Sequence, residues 1–392
     1  MSLASAQRWP IFLIIFSQFD IILALDMSDP YWPLILSASN QLSATKLAYW
    51  SGAIYMAPLL ATIFTTILWT KIGERVGYKK MVLRAGFALA ITQWGLFFFS
   101  DPWVILSIRL IQGGLAGFTA AAQAWSLSMT PVNNHSQVVG YLQTATALGS
   151  IVGPVFGGIV THYYGQLSIF LFSGSFCSLV SAVLAKYLTE NNSRLERSMI
   201  KNPPRFLLND PAKNRLLLLM GATQAARWMS MPFFALYVVK QLKADSLTLG
   251  FLYAIMALAI SLVASIVGRL MSQAQKKLLW PKCLLIFSLV LSGIVQWGFA
   301  FVSKAYFAFG LSLFFGSGLG AISVLLFSFL LNEMEETSRA QAIGLANTAL
   351  KAGNLLGILG GTLIQANGCF SFSFLIIGFF YIGLALLASS YE

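Results

Sequence analysis

The chain has little charge, little acid and few of the residues that build soluble catalytic sites. Only 10% of its 392 residues are charged, against about 25% in an ordinary soluble domain. Asp and Glu number 13, set against 25 Lys and Arg. The only histidines are His135 and His162, too few for a His-ligated metal site, so no metal is expected. The three cysteines, Cys177, Cys283 and Cys369, are scattered and odd in number. They form neither a metal nor a redox pair, and Cys177 and Cys283 sit in or beside apolar runs. No nucleophile–base arrangement and no large polar segment stand out, so no enzyme and no bound cofactor are expected.

Apolar residues fill what is left, at 57% of the chain. Such a chain would aggregate in water, which makes a lipid bilayer its natural solvent. A spanning helix needs about 20 apolar residues. Twelve runs qualify: 11–36, 47–70, 81–99, 103–128, 138–160, 167–188, 214–239, 247–270, 282–301, 305–331, 341–366 and 370–389. The first is too long for a signal-peptide core, so no cleavage is expected. The polar stretch 189–213, with Pro203 and Pro204, divides the runs six and six. The expected fold is an all-α integral membrane protein of twelve transmembrane helices. Residues 1–188 form the first six-helix bundle, 189–213 a linker, and 214–392 the second bundle.

The net charge of +12 could suggest nucleic acid, but its placement points elsewhere. Arg8, Lys71, Arg75, Lys79, Lys80, Arg84, the basic residues from Arg194 to Arg215, Arg269, Lys276, Lys277 and Lys282 fall on one side of a twelve-span topology. Lys46, Lys240, Lys243 and Lys304 fall on the other. Basic loops stay cytoplasmic. The bias therefore puts both termini and the linker in the cytoplasm, and leaves no loop large enough to bind nucleic acid.

The second half repeats the first. Gly140, Gln143, Thr144, Ala145, Gly149, Gly153 and Gly157 return 204 positions later as Gly344, Asn347, Thr348, Ala349, Gly353, Gly357 and Gly361. Two related helix bundles can rock about a site held between them, which points to transport. Taken singly, each glycine reads as a helix-packing position.

Three motifs carry a family resemblance. The segment Thr70-Lys71-Ile72-Gly73-Glu74-Arg75-Val76-Gly77-Tyr78-Lys79-Lys80 lies between the second and third runs. It resembles the signature loop of the major facilitator superfamily, with Glu74 in the usual Asp position. The resemblance implies a conformational latch built on Glu74, Arg75, Gly77 and Lys79. The fourth run holds Arg109-Leu110-Ile111-Gln112-Gly113, similar to the superfamily's Arg-x-x-Gln-Gly motif, which is associated with proton transfer. The fifth holds Gly149, Gly153, Pro154, Gly157 and Gly158, similar to the superfamily's antiporter motif; the eleventh run keeps the glycines but has Ile358 for the proline. The resemblance covers the whole chain. It is nearest to the twelve-helix bacterial drug–proton antiporters and implies alternating access driven by a proton gradient.

An acid or base inside a span is a functional hypothesis by default. The first run carries Asp20 and Asp26, with Asp29 nearer the outer end and in reach of water. The resemblance implies a membrane carboxylate in the first span ahead of a proline turn, which makes Asp26, four residues before Pro30, the first choice for a proton carrier, then Asp20, with Arg109 as a coupling residue. The seventh and eleventh runs carry Arg227 and Lys351. These can face an anionic substrate, or Arg227 can pair permanently with a carboxylate of the first run. Gln123, Trp125, Gln143, Gln224, Trp228 and Asn347 are the candidates for hydrogen bonds and aromatic walls. The expectation is a proton-coupled exporter of small organic molecules in a bacterial inner membrane, acting as a monomer. The alternative is a transporter of an anionic metabolite such as a carboxylate siderophore. A membrane receptor or enzyme on the same scaffold ranks below both.

Overall fold

The computed structural model describes residues 5–39, 42–131, 134–189, 211–273, 279–334 and 338–389. Most of the expected linker, 190–210, lies outside them. Among the described residues there is helix and no strand. In a bilayer a helix satisfies every backbone group within itself.

In the first half, α1 (Ser5–Ser28) meets a 3-10 turn at Asp29–Tyr31 and continues as α2 (Trp32–Ser39). Then come α3 (Ala44–Val76), α4 (Tyr78–Phe98), α5 (Pro102–Leu115), α6 (Phe118–Ser128), α7 (His135–Tyr164) and α8 (Ser168–Tyr187). In the second half, α9 (Pro211–Trp228) and a short α10 (Phe234–Leu236) precede α11 (Ser246–Gln273), α12 (Leu279–Phe301), α13 (Ala305–Asn332), α14 (Arg339–Asn367) and α15 (Phe370–Ser389). Eleven helices among the described residues are long and apolar enough to cross a membrane. The remaining expected run, 214–239, is interrupted. Pro232 cannot donate a helical hydrogen bond and disfavours helix just before itself. The chain turns there, with Phe234 N–H donating to the Ser230 carbonyl at 2.9 Å. Pro30 interrupts the first span 202 positions earlier.

Contacts divide the chain into two compact units. The first comprises Met1–Leu42, Ala53–Ser198 and Asp245–Ala254; the second comprises Ser43–Gly52, Met199–Ala244 and Ile255–Glu392. Each unit thus holds the bulk of one half and the first turns of one helix from the other, α11 in the first unit and α3 in the second.

Within each unit glycines set the helix pairs. A Cβ at Gly149 would meet the Phe19 carbonyl, one at Gly153 the Leu23 carbonyl, and one at Gly157 the Met27 carbonyl, all on α1. In the second unit Gly353, Gly357 and Gly361 of α14 lie in the same way against the backbone of Gly221, Ala225 and Met229 on α9. The repeat is therefore a packing seam, in which the missing side chains let two backbones touch. A second repeat lies in the outer pairs. Gln93-Trp94-Gly95 on α4 returns as Gln296-Trp297-Gly298 on α12. Trp94 packs on Gly174 of α8, and Trp297 on Gly378 of α15. The first unit's core fills the space between α1, α4, α6 and α8 with Ile14, Ile21, Leu89, Phe118, Trp125 and Leu184, all buried.

Candidate functional site

One ion pair of the first unit, Asp29 with Arg109, lies where α5 packs on α3. Asp101 caps α5, accepting from the Trp103 and Val104 N–H groups at 2.9 and 3.1 Å, and Pro102 supplies the first helical residue. Gly113 lies directly on the Pro58 backbone of α3, with no room for a Cβ. Pro58 has no N–H, so the carbonyl four residues earlier, Ile54, lacks its helical partner. Arg109 fills that gap, its Nε donating to the Ile54 carbonyl at 3.4 Å. The same guanidinium donates to Gln112 Oε1 at 2.7 Å and lies 3.5 Å from an Asp29 carboxylate oxygen. It also stacks on the Trp32 ring at 4.9 Å. The Tyr55 hydroxyl donates to the Asp29 backbone carbonyl.

The pair is uneven: the Asp29 side chain is 33% exposed and that of Arg109 only 7%. A lone guanidinium in a membrane core is costly, and an acid with extra hydrogen bonds offsets that cost. Arg109 and Gln112 act on each other directly, as their i, i+3 spacing on a helix allows.

The other α1 acids lie apart from this pair. Asp20 is buried near Cys177, its Oδ2 without a hydrogen bond among the described residues. Asp26 is half-buried, at the point where α1 meets Gly153 of α7. Gln18, also on α1, donates to Thr119 and Thr146 at 2.9 and 3.0 Å. Tyr31 donates to the Pro154 carbonyl at 2.8 Å, and its hydroxyl lies 3.2 Å from the Ser246 carbonyl. Gly158 packs on Ser246 and Gly250 on Pro154. The Gly-Pro segment thus touches α1 on one face and the start of α11 on another.

The helices α7 and α14 each show two exposed stripes. On α7 one stripe is polar or small, with Ser136, Gly140 and Gln143, and the other is apolar, with Tyr141, Leu148, Val152 and Ile159. On α14 the polar stripe is Gly344, Asn347, Thr348 and Lys351, and the apolar one Leu356, Leu359 and Leu363. Gln143, Asn347 and Lys351 are therefore exposed on polar faces. Gln123, Gln224, Arg227 and Trp228 are half-buried. Trp125 differs. It is 1% exposed in the first unit's core, and its indole N–H donates to the Thr189 carbonyl at 3.0 Å. It is a packing residue rather than an aromatic wall. In the signature loop Gly77 has φ +100°, a backbone that only glycine adopts readily. Arg75 is exposed and Lys79 half-buried; the side chain of Glu74 lies outside the described residues.

Among the described residues no group of His, Cys, Asp and Glu could hold a metal ion.

Comparison with known proteins agrees with this architecture. A relative described as a Staphyloferrin B transporter, from Staphylococcus aureus (strain NCTC 8325 / PS 47), is 23% identical over 377 residues, covering 92% of this chain and 88% of its own. A multi-drug resistance efflux pump PmrA homolog from Lactococcus lactis subsp. lactis (strain IL1403) is 24% identical over 352 residues, covering 89% and 86%. A mutant of the nucleoside transporter NupG superposes with a TM-score of 0.80 at 13% identity, over 98% of this chain and 99% of that one, which shows a shared fold. The profile of the Major Facilitator Superfamily matches residues 14–357, and the chain belongs to that family of membrane transporters.

Proposed function

We propose that this transporter exports small organic molecules across the cytoplasmic membrane of a bacterium, in exchange for protons and by alternating access. The observation that carries the reading is the seam between α1 and α7. There the Gly-Pro segment meets α1 at Asp26 and at backbone carbonyls, and meets the turn after α1 at Tyr31. A change in the bend of α7 would be felt at a carboxyl able to bind a proton, which is the coupling an antiporter needs. Asp26 and Asp20 are the proton carriers of this reading, and the Asp29–Arg109 pair, set apart from them, is the charge pair that responds to them. The motor is the gradient itself, worth about 2.3 kcal/mol per charge per 100 mV, with no bound cofactor and no covalent chemistry. The chain works as a monomer with its basic loops, its latch loop (Glu74, Arg75, Gly77, Lys79) and both termini in the cytoplasm. The name of the efflux-pump relative supports the drug-exporter reading.

A second reading has its own observation. Lys351 is exposed on the polar stripe of α14 beside Asn347, and Arg227 lies in the same unit. Two cations suit an anionic metabolite such as a carboxylate siderophore, and the name of the Staphyloferrin B relative supports an anionic cargo.

Everted membrane vesicles decide between them. Ethidium and citrate are offered as representatives of lipophilic cations and polycarboxylates, with lumenal pH followed throughout. Export predicts accumulation when the lumen is acid, with substrate-dependent proton release and loss under a protonophore. Uptake confined to right-side-out vesicles and driven by inward proton flow would mean symport and reject the export reading.

A further inference from the structure

The fourth span is broken, and its break is held open by side chains from two neighbouring helices. Helix α5 ends at Leu115 and α6 begins at Phe118. Between them Ala116 is extended, with ψ −175°, and Gly117 has φ +113°. In an unbroken helix the carbonyls of Gly114 and Ala116 would bond to N–H groups four residues on. Here the Trp69 indole N–H of α3 donates to the Gly114 carbonyl at 2.6 Å. A terminal nitrogen of Arg84 on α4 donates to the Ala116 carbonyl at 3.1 Å. The two side chains also hold each other, the Arg84 guanidinium lying 3.4 Å from the centre of the Trp69 ring. The Thr62 hydroxyl lies 3.1 Å from the Gly113 carbonyl, and shares its one proton with the Pro58 carbonyl.

The second half of the chain supplies a control. Through the contacts Gly113–Pro58 and Gly316–Met256, Gly117 corresponds to Gly320, and Trp69 to Val267. The Gln93-Trp94 and Gln296-Trp297 repeat makes Phe287 the counterpart of Arg84. The second half therefore has the glycine but neither donor, and there the helix, α13, runs unbroken from Ala305 to Asn332. Glycine permits the break and does not impose it. The break tracks the two donors.

We propose that Trp69 and Arg84 are positioning residues of the transport cycle. They hold span four bent at Gly113–Gly117, and through that bend they set where α5 presents Arg109 and Gln112 to Asp29 and to the Ile54 carbonyl. Trp69 and Arg84 flank the signature loop, one on each side, so a movement of that loop reaches the Arg109 site through them. The part that concerns coupling rests on the reading of Arg109 given under the proposed function.

The test uses the full chain in nanodiscs and in proteoliposomes, with Cys283 and Cys369 replaced by serine. Spin labels go on the exposed positions Ser107 of α5 and Ala120 of α6, and their separation is measured by pulsed electron resonance. In Trp69→Phe with Arg84→Met the separation should move toward the roughly 20 Å of a continuous helix. Arg84→Lys, which keeps a cationic donor, should restore the parent distance. Efflux of ethidium and of citrate should fall by about tenfold in maximal rate, with KM within about twofold and a displaced pH optimum. An unchanged label distance overturns the proposal whichever probe is carried. A changed distance with the parent's rate and pH profile overturns the positioning role. Arg109→Gln is measured alongside. A parent-like pH profile in that variant rejects the coupling role of Arg109 and leaves the label-distance result to judge the clamp.

Discussion

Gly153 offers a sharp test of the seam because α7 carries its own control. A Cβ at Gly153 would lie 2.8 Å from the Leu23 carbonyl oxygen and 3.1 Å from both Asp26 Cβ and Met27 N. Two of these three neighbours are backbone atoms and the third is a Cβ fixed by its backbone, so none can rotate away. Bringing the closest contact to an ordinary distance means separating α7 from α1 by roughly 0.5 Å, and a gap of that size forfeits about a quarter of each contact's attraction along the seam. Overpacking of this kind typically costs about 1–3 kcal/mol. At Gly140, on the same helix, an added Cβ would have nothing within 4 Å of it, so Gly140→Ala should stabilise by about 0.5–1 kcal/mol through helix propensity alone. The two variants should move apparent melting temperature in opposite directions in one detergent, by a few degrees per kcal/mol. Gly153→Ala should also slow transport, since the displaced wall of the seam includes Asp26. Equal shifts, or a Gly153→Ala protein as stable as the parent, would refute the backbone-contact account.

Four further outcomes follow from the same geometry. Arg109→Lys should abolish most transport while Asp29→Asn is milder, because Ile54, Gln112 and Asp29 are met by three different nitrogens of one guanidinium and a single ammonium nitrogen cannot span those positions; equal activity of Arg109→Lys and parent in vesicle efflux would count against this. Asp26→Asn should keep the folded protein and remove proton-driven efflux, and if Asp20→Asn alone does so the carrier is Asp20. Lys351→Ala should weaken an anionic probe by roughly tenfold to a hundredfold, the worth of a charge-assisted contact of about 1.5–3 kcal/mol, and spare ethidium; uniform loss across probe charge would reject the anionic reading. Asp245 caps α11 through the Thr248 N–H at 2.9 Å and pairs with His162 at 3.4 Å. The Thr248 hydrogen bonds, chiefly, hold its carboxyl below the usual range. Its contribution is therefore present above about pH 4 and lost as pH falls through the lowered value, so Asp245→Ala should cost about 0.5–2 kcal/mol at pH 7 and lack that acid-side loss in pH-dependent melting.

What the sequence revealed and what it hid follow from the kind of contact involved. The glycine repeat was legible because a backbone-to-backbone contact has one sequence solution, the absence of a side chain, and it recurs at fixed spacing. The span count was legible because bilayer thickness sets helix length. The repeat Gln93-Trp94-Gly95 and Gln296-Trp297-Gly298 is open to the same reading, but three residues stand out far less than a run of seven. The partners of Arg109 were hidden for another reason. Asp29 and Ile54 stand 80 and 55 positions away, and a carbonyl has no letter of its own; only Pro58, four residues past Ile54, marks it. Trp125 misled because a tryptophan in a span reads as a wall for ligand. Its N–H finds the Thr189 carbonyl, so it can be core. Arg84 groups with the basic residues of the signature loop, and nothing local signals that its guanidinium reaches the fourth span.

The duplication separates scaffold from chemistry by subtraction. Gly157 meets Met27 and Gly361 meets Met229, which fixes the register between the two first spans. At that register both prolines that interrupt the spans coincide, Pro30 with Pro232. The acids do not: Asp26 stands opposite Trp228, and Asp20 opposite Ala222. In the same way Gly113 and Gly316 coincide, but Arg109 stands opposite Ser312 and Pro58 opposite Met256. The half with the proline has the arginine, and the half without it has a small hydroxyl that needs no foreign carbonyl. An arginine there without Pro58 would face an Ile54 carbonyl already bonded within its helix, and would lose one of its partners. Pro58 and Arg109 thus belong to one device, which the second half lacks entirely. The second half places its own charges, Arg227 and Lys351, at positions where the first has Leu25 and Ala147. Features common to the halves are those that let helices touch. Features private to one half include the charges: Asp20, Asp26 and Arg109 in the first, Arg227 and Lys351 in the second.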